Sequence, residues 1–83
     1  MTVELKIITR NESTALPRVL RIVARQGCAL KRLTLQPAAD DTALELSLLL
    51  DCQEAPLQLV KLLQKQILIT DVRLLKEEVP LAG

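Results

Sequence analysis

The side chains that most often do chemistry are scarce in this chain. None of its 83 residues is a histidine, so the commonest general base and transition-metal ligand is missing. Two thiols, Cys28 and Cys52, sit among apolar neighbours and outside any C-x-x-C spacing. With no signal peptide ahead of them, they read as reduced, buried thiols rather than a disulfide. Asp40 and Asp41 are adjacent carboxylates, but within "PAADDT" they are more simply solvated turn residues than an acid–base pair. The only glycines are Gly27 and Gly83, so there is no glycine-rich loop to cradle a phosphate. Catalysis, a metal site and a cofactor on this chain are therefore not expected.

Two groups of residues could bind instead. Arg18, Arg21 and Arg25, with Lys31 and Arg32 beyond, form a basic stripe. Small sheet folds often hold RNA by stacking bases on aromatic side chains. This chain has no Phe, Tyr or Trp, so the stripe reads as a solvated helix face and no nucleic-acid partner is expected. The second group is the turn "NESTAL". A helix N-terminus presents unpaired N–H groups and a partial positive charge. Asn11 to Leu16 could therefore hold a small anion such as an amino acid, or could simply cap a helix.

The elements that would position these residues follow from periodicity. "TVELKIITR" alternates Val3, Leu5 and Ile7 against Glu4 and Lys6, as a half-buried strand does. Leu16, Val19, Leu20 and Val23 then recur on one helix face, opposite the arginines. Pro17 fits only in the first turn, which makes Thr14 the expected N-cap with Ser13 next. Gly27 is the expected left-handed stop. "CALKRLTLQ" reads as a second strand, "PAADDT" as a hairpin connection and "ALELSLLL" as a third strand with Leu44, Leu46 and Leu48 on one face. A second helix is expected from Glu54 or Ala55 to about Gln66, burying Leu59, Leu62 and Leu63. "ILITDVRLL" makes a fourth strand. The order predicts an α+β, ferredoxin-like βαββαβ fold: a four-stranded antiparallel sheet with both helices on one face. One domain over 1–76 is expected, with 77–83 as a frayed tail.

Composition adds limits. With 49% hydrophobic residues and no aromatic, the core must be aliphatic. A chain this small buries only about 60–65% of its unfolded surface, so association with another chain would stabilise it. Eleven basic and ten acidic side chains nearly cancel. The longest aliphatic run, Leu48-Leu49-Leu50, is too short to span a bilayer. "NES" is formally a glycosylation triplet, but nothing else points to secretion. A soluble cytoplasmic protein with no membrane partner is the expectation.

The stretches "NES-AL-RV", "RQG", "LTL-P--DDT" and "LQK-----DVRLL" together resemble the ACT domain of acetolactate synthase (acetohydroxyacid synthase) small subunits. The likeness runs from about residue 3 to 76, and its specific part is the first half. It implies a regulatory subunit of branched-chain amino-acid synthesis, pairing side by side as a homodimer. Its partner would be the large catalytic subunit, which in that family carries thiamine diphosphate, Mg²⁺ and FAD. A branched-chain amino acid effector would lie between Asn11, Glu12, Ser13, Thr14, Ala15 and Leu16 of one copy and Ala29 and Leu30 of the next. The chain departs from the family at two of these positions, with Thr14 in place of a glycine and Ala29 in place of an asparagine. A branched side chain at a close-approach position and the loss of a polar partner argue against valine feedback. Its length is similar to the short, isozyme II type of small subunit. The other reading is a stand-alone amino-acid-sensing module acting on another enzyme or regulator.

Overall fold

"TVELKIITR" forms the inner strand β1 (Thr2–Arg10) of a four-stranded sheet in the computed structural model, which describes residues 1–38 and 41–78. The remaining elements are α1 (Ala15–Arg25), β2 (Cys28–Pro37), β3 (Ala43–Cys52), α2 (Leu57–Gln64) and β4 (Ile69–Glu78). Strands lie in the order β2-β3-β1-β4, and every neighbouring pair is antiparallel. This is the expected βαββαβ ferredoxin-like arrangement.

The core follows from the alternation. Val3, Leu5 and Ile7 stand opposite Leu50, Leu48 and Leu46, and all six are fully or almost fully buried. α1 adds Val19 and Val23 to the same cluster, and α2 adds Leu59 and Leu63, so both helices cover one face. Leu62 is only half-buried. Burying an aliphatic side chain of this size contributes roughly 1.5–3 kcal/mol, so a core without aromatics depends on how many it gathers. Thr9 is buried among them and its hydroxyl donates to the Arg10 carbonyl at 3.0 Å. On the open face the Lys6 ammonium pairs with the Glu45 carboxylate, which also accepts from Gln36 Nε2 at 2.8 Å.

Several boundaries differ from the sequence expectation. α2 starts at Leu57, not at 54 or 55, because Pro56 takes the N-cap position and disfavours helical backbone at Ala55 before it. Its end at Gln64 is followed by a tighter turn, in which the Gln66 amide donates to Leu63 O at 3.1 Å. β4 begins at Ile69 and continues through Glu77 and Glu78, residues expected in the tail; 79–83 lie outside the described residues. So does Asp40 of the carboxylate pair, while Asp41 adopts positive φ in the hairpin turn.

The thiol expectation is corrected. Cys28 and Cys52 face each other in the β2–β3 register, their Cα atoms 4.2 Å apart, and are joined as a disulfide. A bulge that leaves Lys31 without a partner, between the pairs Leu30↔Leu50 and Arg32↔Leu49, makes this possible. Without the extra residue, Cys28 would shift by one position and the two side chains would point to opposite faces.

Candidate functional site

The β1–α1 connection is built by spending some backbone donors and leaving others. As β1 ends, the Arg10 amide donates to Leu68 O at 2.8 Å and the Asn11 amide to Thr42 O at 3.1 Å. The Glu12 amide folds back to Arg10 O at 2.9 Å, and the Ala15 amide closes a turn onto Glu12 O at 3.1 Å. Asn11 is further tied to the β2–β3 hairpin, its Nδ2 donating to the Asp41 carbonyl at 3.0 Å. Among the described residues, the amides of Ser13, Thr14 and Leu16 donate to no protein group, and Pro17 has none to give.

Thr14 occupies the N-cap position, as expected, but not in the expected manner. Its backbone is helical (φ −85°, ψ −10°) and its side chain makes no capping hydrogen bond. A working cap needs an extended backbone that aims the hydroxyl at the next amides. The first turn of α1 also carries no acidic residue, so no carboxylate within that turn offsets the positive end of the helix. At the other end Gly27 terminates α1 with φ +74°, as its sequence position predicts.

Four of the eight expected site residues line two separate hollows. Asn11 and Glu12 line an open one of about 510 Å³ with Thr9, Arg10, Thr42 and Thr70. Ser13 and Thr14 line another of about 490 Å³ with Pro17, Arg18, Arg21, Ile22, Arg25 and Gln66. The Ala15 side chain is buried in the core, and Leu16 packs half-buried against it. Ala29 and Leu30 stand at the far end of the sheet, opposite Asp51 and Leu50, which in turn face Thr2 and Val3. One chain therefore does not bring 29–30 to the 11–16 turn; about 25 Å of strand separates them.

Gln66 was not legible as a lining residue, since no periodic signal marks a side chain contributed from a turn. The arginines carried a signal in their i, i+3, i+7 spacing. On the open face, no aromatic side chain offers a stacking platform, and the chain contains none. Among the described residues no cluster of three or more His, Cys, Asp or Glu could hold a metal ion. No described helix is long and apolar enough to cross a membrane.

No family model matches the chain, and no curated protein matches it significantly. Solved structures do. The crystal structure of the ACT domain from GTP pyrophosphokinase of Chlorobium tepidum superposes with a TM-score of 0.75 at 13% identity, covering 90% of this chain and 97% of that one. The solution structure of the same domain gives 0.72 at 12% identity, with 94% and 89% covered. The C-terminal domain of the MgtC protein from Mycobacterium tuberculosis gives 0.72 at 20% identity, with 99% and 93% covered. At these identities the likeness establishes architecture, and the chain carries the fold of an ACT domain over nearly its whole length.

Proposed function

We propose that this chain is a non-catalytic regulatory subunit that binds and activates the acetolactate synthase catalytic subunit. The observation that carries the reading is the ACT-domain fold, found in a chain whose first half resembles the small subunits of that enzyme. Thiamine diphosphate, Mg²⁺ and FAD would all reside on the catalytic partner. Activation then needs only linkage: a subunit that prefers the active state raises its population by the difference in affinity, typically about 1–3 kcal/mol.

A free edge supports side-by-side pairing of two copies. β2 is an outer strand ten residues long, with Leu30 and Leu35 about two-fifths exposed. Antiparallel pairing of two β2 strands about Leu33 would set Ala29 and Leu30 of a second copy beside Pro37 and Gln36 of the first. That is the end of the sheet where the 11–16 turn lies. Thr14 and Ala29 then leave any effector there with fewer contacts than the family's glycine and asparagine provide, and valine is not expected to act through it.

The test mixes the purified chain with the catalytic subunit from the same cell and measures acetolactate formed from pyruvate, with and without valine. A several-fold rise that valine does not reverse is the expected result. No rise, together with no co-elution of the two proteins, overturns the reading. The unpaired Ser13, Thr14 and Leu16 amides favour a second reading, a stand-alone amino-acid sensor. It predicts that free amino acids raise the unfolding temperature of the isolated chain.

A further inference from the structure

α1 has an unusual charge content for a short amphipathic helix. Its eleven residues, ALPRVLRIVAR, include three arginines and no acidic residue. Arg18, Arg21 and Arg25 fall on one face, and their Cα atoms span roughly 10 Å along the helix axis. None of the three guanidinium groups forms an ion pair or hydrogen bond with another described residue. Like charges three and four residues apart repel, so this arrangement weakens the isolated helix until an anion sits among them.

All three residues are exposed. They line the hollow of about 490 Å³ together with Ser13 and Thr14 and with Gln66 beyond the end of α2. Its volume falls within the range of small-molecule sites. Gln66 is oriented by the bond from its Nε2 to Leu62 O at 3.2 Å, which leaves the second N–H of that amide as a donor. Among the described residues no acidic side chain lines the hollow. We infer that the Arg18–Arg21–Arg25 hollow binds a small molecule carrying two or more phosphate charges, such as a diphosphate or bisphosphate ester.

The chemistry selects that class over its rivals. A guanidinium presents a planar fork that two oxygens of one phosphate can fill. Three forks spaced over two helical turns need at least two anionic groups a short distance apart. A free amino acid brings a single carboxylate and an ammonium, and the ammonium would face three cations. A nucleic acid has the charge, but the lining offers no aromatic side chain on which bases could stack. This inference stands on α1, the turn before it and the turn after α2, and does not depend on how two copies pair or on which enzyme the chain regulates.

Inorganic pyrophosphate is the probe, titrated into the isotope-labelled full chain while side-chain and backbone resonances are followed. Saturable shifts of the Arg18, Arg21 and Arg25 Nε–H signals and of the Ser13 and Thr14 amides are expected. Affinity should fall by roughly tenfold or more in the Arg18→Gln/Arg21→Gln/Arg25→Gln variant, whose remaining spectrum reports whether it is folded. Arg21→Lys keeps the charge but removes the fork, and should weaken binding by several-fold. Three results would overturn the proposal: no saturation at millimolar pyrophosphate, equal affinity in the triple variant, or binding of a single-stranded oligonucleotide without binding of pyrophosphate.

Discussion

Thr14 shows how a correct boundary can hide an idle side chain. Capping preference identifies which residue precedes the helix, but the bond depends on backbone conformation, and here φ and ψ are already helical. Thr14→Ala should therefore cost less than about 0.5 kcal/mol, against about 1 kcal/mol for a working cap. Urea unfolding followed by circular dichroism would measure this in a chain with no aromatic fluorophore. Gly27 is the opposite case. A Cβ built there would meet only Gln53 Oε1 at 4.0 Å, so there is room for it; the obstacle is a φ of +74°. Gly27→Ala should lose about 1–2 kcal/mol through backbone conformation alone, and Gly27→Asn should lose less. The stop at Gly27 was legible because its backbone requirement is local. The pairing of Asn11 with Asp41 O, thirty residues away, was not, because it depends on the hairpin having folded.

Among the elements, strand and helix identity came from periodicity, while register and bulges did not. β4 is interrupted twice against β1, between the partners of Ile8 and Thr9 and again between those of Glu4 and Leu5. The second interruption falls at Leu75, which ends 52% exposed although it directly follows another leucine. Leu48, also beside another leucine, is 1% exposed on β3 between β1 and β2. Leu48→Ala should thus destabilise the fold by roughly 2–5 kcal/mol, whereas Leu75→Ala should stay within about 0.5 kcal/mol. Denaturation of the two variants side by side checks both values. The same limit explains the cysteines. The hairpin and its two strands were readable, but the bulge at Lys31 that places both sulfurs on one face leaves no trace in residue types. The start of α2 differs for a local reason that could have been found, since Pro56 acts on Ala55.

For the molecule as a whole, the two outer strands are unequal. β4 is broken by two bulges and carries charges along its length, both of which discourage strand addition. β2 runs from Arg32 to Pro37 without a break and exposes Leu35. Leu35→Lys should therefore reduce self-association strongly while leaving the unfolding midpoint of the monomer nearly unchanged. Sedimentation with interference optics would read this, as the chain scarcely absorbs at 280 nm. Removing the Cys28–Cys52 bond with a double serine substitution should cost about 3.5 kcal/mol, the chain-entropy value for a loop of this length. The fold class was legible at this scale, but the division of the expected effector wall between two hollows was not. A division of that kind depends on which way neighbouring side chains turn about a single connection.

That same bond makes β2 and β3 a closed ring, with a sequence separation of 24 between the joined residues. Pulled from its two ends, the oxidised chain cannot pay out that segment, and its unfolded length should be about 80 Å shorter than that of the reduced chain. The ring also prevents a second copy from exchanging one of these strands for its own without thiol chemistry. Assemblies of the oxidised protein must therefore form by contact between whole, already folded domains, and should come apart on dilution.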